Sequence, residues 1–253
     1  MAERKLKVLL AGESWIIHSI HMKGFDEFTT TEYGEGGQWL IEGLKANGIE
    51  VDFLPNHLAP REFPMSLEAM GEYDAILLSD IGSNSLFLHP ETFSASKQTP
   101  NRLDLLRQYV EGGGGLIMIG GYMSFSGING VARYQRTAVA EVIPALMVEG
   151  DDRVEVPEGA SIEIAAPDHP VVASLEGPWP HFLGYNQLKE RPDTTVIARC
   201  GDDVFIAAGS YGKGRSLAFA SDCGPHWGPP EFVNWEYYGR FWSQAVRWVA
   251  GVL

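Results

Sequence analysis

The chain has 253 residues, of which 45% are hydrophobic and 21% are charged. These values are ordinary for a globular protein with a full core, and they exclude a disordered chain. The formal net charge of −14 leaves no basic patch for the phosphates of a nucleic acid, so we expect no nucleic-acid partner.

The N-terminal segment and the cysteines bear on the compartment. The apolar run at residues 8–11 is too short for the core of a signal peptide. No stretch approaches the about 18 apolar residues that a transmembrane helix needs. Cys200 and Cys223 are too few for a disulfide framework and lack the C-x-x-C spacing of a metal site. We therefore expect a cytoplasmic protein with no membrane partner and no cofactor.

Short apolar runs bounded by Gly, Ser or Asp predict strands that are buried on both faces of a parallel sheet. In chain order these runs are residues 8–11, 50–54, 75–78, 116–119 and 216–220. Helices are predicted between them at residues 35–47 and on a stripe around Leu103–Val110. The last helix has an aromatic face formed by Tyr238, Phe241, Trp242, Ala245, Trp248 and Val249.

The alternation of strands and helices predicts an α/β fold, a mostly parallel sheet with helices on both faces. Residues 195–200, 204–208 and 215–220 are separated by turn residues, which predicts antiparallel hairpin strands appended to that sheet. The acidic segment 151–163 is expected to be a loop that leads to an edge strand. No repeat or linker divides the chain, so we expect one domain over residues 1–253.

Polar residues follow four of the predicted strands. In an open α/β sheet, ligands bind outside the carboxyl ends of the strands. We therefore expect these four turns to build one pocket. Its candidate residues are Glu13, Ser14, Asp80, Ile81, Gly82, Gly121, Tyr122, Ser124, Asp222, Cys223, His226 and Trp227.

Three segments carry a family resemblance: residues 73–80, 113–121 and 221–227. Together with residues 12–15 and 23–26, they resemble the class I glutamine amidotransferase-like superfamily. Within it, the chain is similar to the bacterial group named putative glutamine amidotransferases or putative cytoplasmic proteins. The resemblance covers nearly the whole chain and implies a flavodoxin-like fold.

The chain departs from the catalytic pattern of that superfamily. The family's nucleophilic cysteine lies in a G-x-C-x-G turn, and the matching turn here is residues 120–124, with Gly121 or Tyr122 at the nucleophile position. His226 matches the late histidine, but Gly228 replaces the glutamate that follows it. The resemblance also places Ile81 and Gly82 in the oxyanion-hole loop. Glutamine hydrolysis by the standard route is therefore not expected.

Our leading hypothesis is a modified site that binds a small polar molecule and hydrolyses a C–N or ester bond. His226 would be the acid/base, Asp222 its orienting partner, and Cys223 or Ser124 the nucleophile. The backbone of Ile81 and Gly82 would stabilise developing negative charge. The predicted ligand-binding residues are Glu13, Ser14, Asp80, Ile81, Gly82, Gly121, Tyr122 and Trp227.

Three alternatives stay open. Cys223 and Ser124 are also typical of purely structural positions in such turns, which favours a non-catalytic binding or assembly module. His18 and His21, spaced as on one helical face, suggest a metal-dependent hydrolase in which Glu13 and another carboxylate complete the ligand set. The same two histidines would equally suit an interface in a homo-oligomer.

Overall fold

The computed structural model describes residues 5–253, so the first four residues of the expected domain lie outside it. The strands in chain order are β1 Lys7–Gly12, β2 Ser14–Lys23, β3 Asp26–Glu35, β4 Glu50–Leu54, β5 Ala75–Ser79, β6 Gly115–Ile119, β7 Ala145–Met147, β8 Arg153–Ala160, β9 Glu163–Ile164, β10 Phe182–Asn186, β11 Leu188–Glu190, β12 Thr195–Cys200, β13 Asp203–Tyr211 and β14 Gly214–Phe219. The helices are α1 Gln38–Ala46, α2 Ala59–Glu62, α3 Leu67–Met70, α4 Ser83–Phe87, α5 Pro90–Ala95, α6 Arg102–Gly112, α7 Val139–Val142, α8 Pro230–Val233 and α9 Tyr238–Val249.

An eight-stranded sheet in the order β4-β1-β5-β6-β14-β13-β12-β9 forms the centre of the molecule. The first five strands of that order pair in parallel, and their sequence of 2-1-3-4-5 is the flavodoxin-like order. The predicted fold class is confirmed. In β5 and β6 every residue is buried, because helices and loops cover both faces of the sheet.

The aromatic face of α9 packs on the sheet as its periodicity predicts. Phe241 and Trp242 are fully buried, and the Trp242 ring lies 5.0 Å from that of Phe219 on β14. Helix α1 begins at Gln38 and not at residue 35, because β3 continues through Glu35.

Beyond β14 the sheet continues through the antiparallel strands β13, β12 and β9, which confirms the predicted hairpins. The segment 151–163 leads, as expected, to a short edge strand, β9, which begins at Glu163. The rest of that segment is not the expected loop: it forms β8, which pairs with β10 in a separate two-stranded sheet.

The hairpin formed by β2 and β3 is not predicted by the sequence pattern. These strands pair along their whole length, from Ser14 opposite Glu35 to Lys23 opposite Asp26, in a two-stranded sheet of their own. The predicted helical face of His18 and His21 is therefore wrong. Residues three apart on a strand point to opposite faces.

The two histidines bond within the hairpin, His18 Nδ1 to Thr31 Oγ1 at 2.9 Å and His21 Nε2 to Thr30 Oγ1 at 3.2 Å. Among residues 5–253, no three His, Cys, Asp or Glu side chains are grouped so that they could hold a metal ion. The metal-dependent hydrolase hypothesis thus loses its geometric basis. Within the same range, no helix is both long enough and apolar enough to cross a membrane.

Candidate functional site

The carboxyl ends of β1, β5, β6 and β14 lie side by side in the sheet. The strand ends are in register, with Gly12 opposite Ser79, Ser79 opposite Ile119, and Ile119 opposite Phe219. The turns that follow these strands enclose a pocket of about 210 Å³. Its lining residues are Glu13, Trp15, Asp80, Tyr122, Asp222, Gly224, Pro225 and His226.

A sharp turn at the end of β1 directs Glu13 into this pocket. Gly12 has a φ of +119°, and a Cβ there would come within 1.7 Å of the Ser79 carbonyl oxygen, so only glycine fits. Glu13 itself has a φ of +47°, and its N–H donates to Ser79 O at 2.9 Å. Its side chain is buried between the two strands as a result.

The buried Glu13 carboxyl is held in its neutral form. Burial raises the pKa of Glu13 to about 8, with further contributions from the negative charges of Asp80 and Asp222. Its Oε1 accepts hydrogen bonds from the Ser79 hydroxyl and, at 3.5 Å, from the Cys223 thiol. Oε1 therefore has two donors, the Ser79 hydroxyl and the Cys223 thiol.

Asp80 follows β5 and has a φ of +45°. Its Oδ1 accepts a hydrogen bond from Met123 N–H at 2.7 Å. Burial, and then the charge of Asp222, raise the pKa of Asp80 to about 6. At neutral pH the pocket therefore holds a neutral Glu13 beside a mostly ionised Asp80, a separation of pKa values that is typical of acid/base sites.

Asp222 and His226 form a hydrogen-bonded pair at the mouth of the pocket. His226 Nδ1 lies 2.9 Å from Asp222 Oδ2, and the same oxygen accepts Trp227 N–H at 3.0 Å. The hydrogen bond to Asp222 raises the pKa of His226, and the Asp222 charge adds to the effect. His226 Nε2 has no hydrogen bond within residues 5–253, which leaves it available to a ligand.

The wall behind His226 is fixed by Glu155, a residue that the sequence analysis did not single out. Glu155 accepts hydrogen bonds from Tyr122 OH and from Trp227 Nε1, both at 3.0 Å. The Tyr122 ring lies edge-on to the His226 ring at 4.5 Å, and the Trp227 ring stacks beside it at 5.2 Å. Trp227 is buried, so it supports the imidazole and does not line the pocket.

The turn after β6 has no room for a nucleophile. Gly121 has a φ of +135°, and a Cβ there would come within 2.8 Å of both Asp80 Oδ1 and Asp222 Oδ1. The amide of Asn186 occupies both polar groups of Gly121, accepting from its N–H at 3.0 Å and donating to its carbonyl at 3.1 Å. The carboxylates thus fill the space that a cysteine side chain would need.

Neither predicted nucleophile reaches the pocket. Ser124 is buried, and its Oγ donates to Ile119 O at 2.5 Å while accepting Asp80 N–H at 3.1 Å. Cys223 is also fully buried. Burial, followed by the charge of Glu13, raises the pKa of the Cys223 thiol well above its usual range, the opposite of what a nucleophile needs.

Three further predicted residues lie beside the pocket and not on its surface. Ser14 is buried, and its Oγ accepts Asn56 N–H at 2.7 Å. Ile81 is buried, with its carbonyl bonded to Tyr134 OH at 2.7 Å. Gly82 precedes α4. The structure therefore brings together Glu13, Asp80, Tyr122, Asp222 and His226 as pocket-lining residues.

The sequence analysis did not select Trp15, Gly224 or Pro225, although each lies next to or between residues that it did select. The backbone conformation also marks the site. Glu13, Asp80 and His226 are non-glycine residues with φ values of +47°, +45° and +153°. Strained backbone of this kind concentrates at functional sites, and perturbed carboxyl groups do so too.

The chain is similar to proteins of known family and structure. The sequence model of the family described as "Putative glutamine amidotransferase" matches residues 7–251. The structure of the cytoplasmic protein STM3548 from Salmonella typhimurium shares 46% identity and a TM-score of 0.94, over 96% of this chain and 99% of that one. The cytoplasmic protein STM1381 from Salmonella typhimurium LT2 is 44% identical, with a TM-score of 0.93. The match covers 96% of this chain and 99% of that one.

A more distant protein is similar to this chain in fold alone. A ThuA-like protein from Bacteroides uniformis has 13% identity and a TM-score of 0.58, over 98% of this chain and 93% of that one. No curated protein matches the sequence of the chain.

Proposed function

The chain belongs to the family of glutamine amidotransferase-like proteins, and from that premise we propose that its pocket binds a small polar molecule and hydrolyses a C–N or ester bond in it. The observation that supports this proposal is the Asp222–His226 pair beside a neutral Glu13. A base and an acid then face one pocket, and no cysteine is needed.

In the proposed reaction, His226 acts as the general base. Its Nε2 takes a proton from water, and the resulting hydroxide attacks the acyl carbon. Asp222, on Nδ1, orients the imidazole and stabilises its protonated form. The products are a carboxylic acid and an amine or alcohol.

Glu13 would supply the proton to the departing group. Its protonated carboxyl can donate to the leaving nitrogen or oxygen, as a carboxylic acid kept neutral by burial does in other enzymes. The ionised Asp80 and Asp222 favour a C–N bond over an ester. The amine released from a C–N bond becomes a cation, which these carboxylates stabilise.

The proposed roles give a bell-shaped dependence of the rate on pH. The rate rises as His226 loses its proton, at a pH above the usual histidine value of about 6.5 because its pKa is raised. It falls again as Glu13 ionises, at a pH near 8. The Salmonella relatives are cytoplasmic proteins, and we propose the same compartment for this chain.

Release of amine or acid from a panel of small amides and esters tests the proposal. We expect His226→Gln to lower the rate by about 10²–10⁴-fold, the usual contribution of general base catalysis. His181→Gln is the matched control, because His181 is exposed and lies outside the pocket. Equal rates in the two variants would remove His226 from the mechanism.

A non-catalytic binding module is the second candidate, because both predicted nucleophiles are buried. The same panel separates the two functions. Compounds that raise the melting temperature of the protein but are never hydrolysed would favour the binding module.

A further inference from the structure

The hairpin of β2 and β3, which we call the arm, exposes an unusual amount of apolar surface. Eight of the sixteen large hydrophobic side chains that are exposed within residues 5–253 lie in it. They are Trp15, Ile16, Ile17, Ile20, Met22, Phe25, Phe28 and Tyr33. Such a concentration is typical of an interaction surface, because an isolated two-stranded hairpin is at best marginally stable in water.

One strand of the arm, β2, is free of charge over nearly its whole length, and the carboxylates of the arm lie on β3. Residues 14–22 contain no Asp, Glu, Lys or Arg, in a chain in which 21% of residues are charged. Two molecules that each carry a net charge of −14 repel one another. They can associate through the face of the arm on which Ile16, His18 and Ile20 lie opposite Tyr33, Thr31 and Thr29, because that face has no carboxylate between the ends of the arm.

The two ends of the arm complement each other. At the tip, the turn Gly24-Phe25 leaves the Phe25 side chain fully exposed. At the base lies a pocket of about 200 Å³ formed by Ser14, Trp15, Ile16, Tyr33, Asn56 and His57. A pocket of this volume, lined by the aromatic side chains of Trp15, Tyr33 and His57, has room for one aromatic side chain.

From this complementarity we propose that two copies of the chain form a dimer by crossing their arms, with Phe25 of each copy inserted into the base pocket of the other. A two-fold axis through the middle of two equal arms places each tip at the opposite base. Two-fold dimers of this self-complementary kind are the commonest protein oligomers.

The area of the arm is sufficient for such a dimer. Ten residues per strand give a length of about 34 Å, and a width of about 10 Å gives about 340 Å² for one face. One face from each arm, together with the two tips and the two base pockets, brings the total near the about 1,000 Å² that a specific interface needs. Trp15 belongs to the base pocket and to the candidate active site, so the partner's Phe25 would pack against a wall of that site.

The mass of the full chain in solution tests the dimer. By light scattering at about 100 µM, far above a micromolar Kd, we expect twice the monomer mass of 27.8 kDa. Phe25→Glu and Ile20→Glu should each return the mass to that of a monomer. Phe93→Glu is the matched control, because Phe93 is an exposed phenylalanine outside the arm, and this variant should remain dimeric.

A disulfide trap tests the arrangement itself. Asp26→Cys at the tip and His57→Cys at the base, combined in one chain, should give a covalent dimer on mild oxidation. Tip and base of one arm are about 34 Å apart, too far for a disulfide within one molecule. A monomeric wild-type chain, a dimer that survives Phe25→Glu, or failure of the double variant to cross-link would each overturn the proposal. None of these outcomes depends on catalysis.

Discussion

The Oδ2 atom of Asp222 lies 2.9 Å from Nδ1 of His226, within a single loop that holds His226 at a φ of +153°. A strained backbone at the histidine and a carboxylate four residues earlier together fix the direction of the imidazole. The other ring nitrogen is thereby left facing the pocket, beside Glu13 and Asp80.

This pairing predicts the titration of His226. In the wild-type protein, the pKa of His226 should lie above the usual value of about 6.5, because the protonated ring bonds to Asp222. Asp222→Asn removes that charge and should lower the pKa of His226. Imidazole proton signals followed by NMR over pH measure both values, and the signal missing in His226→Gln gives the assignment. An unchanged titration in Asp222→Asn would contradict the prediction.

The buried Glu13 predicts that stability falls as pH rises. The pKa of Glu13 is about 8 in the folded protein, against 4.5 for the free side chain, so the folded state binds the proton more tightly. Stability is therefore lost between about pH 4.5 and pH 8, by about 5 kcal/mol when Glu13 is fully ionised.

Glu13→Gln should remove this loss, because glutamine does not ionise. Chemical unfolding of both proteins at about pH 5 and pH 9 measures the free energy of unfolding. Relative to the wild type, the variant should be more stable at the higher pH than at the lower. Asp80 contributes in the same direction, and because its charge interacts with that of Glu13, the difference between the two proteins reports the loss of the Glu13 charge together with this interaction. Parallel pH profiles would mean that the Glu13 carboxyl is not kept neutral by the fold.

A side chain at Gly121 should destabilise the protein. The Cβ in Gly121→Ala would lie 2.8 Å from two carboxylate oxygens, at a φ of +135° that alanine rarely adopts. We expect a loss of at least about 2 kcal/mol in the free energy of unfolding. Gly112→Ala is the matched control in α6, where a Cβ meets nothing within 4 Å. Equal stabilities for the two variants would show that the turn accepts a side chain.

Alkylation distinguishes the two cysteines. Burial raises the pKa of both thiols, but Cys200 is only half-buried, whereas Cys223 is fully buried and out of reach of the reagent. Iodoacetamide at neutral pH should therefore modify the native protein only at Cys200, and both residues after denaturation. Mass spectrometry of the labelled peptides gives the result. Rapid native labelling of Cys223 would restore it as a nucleophile.

The strands that could be predicted from the sequence are those buried on both faces. Residues 75–78 and 116–119 are continuous apolar runs, and both lie in the parallel centre of the sheet. The arm could not be predicted in the same way. Its apolar side chains face solvent on both sides, and β3 is rich in threonine and glutamate, so no alternating pattern marks it.

The site was predictable to the level of its turns but not of its side chains. Asp222, Cys223 and His226 share one loop, yet Cys223 points into the core while Asp222 and His226 line the pocket. Whether a loop residue points into the core or into the pocket depends on the packing around it, which cannot be read from the sequence. Glu155 lies on β8, in a separate sheet, so no local sequence pattern connects it with Tyr122.

The Asn186 amide has a consequence for how charge is stabilised in this protein. Because Asn186 Oδ1 accepts the Gly121 N–H, that peptide cannot rotate to offer its hydrogen to a reacting oxygen. The proposed reaction relies on protons that side chains carry, those of Glu13 and His226. Main-chain amides keep their hydrogens at every physiological pH, whereas side chains do not, so this pocket would respond to the acidity of its surroundings.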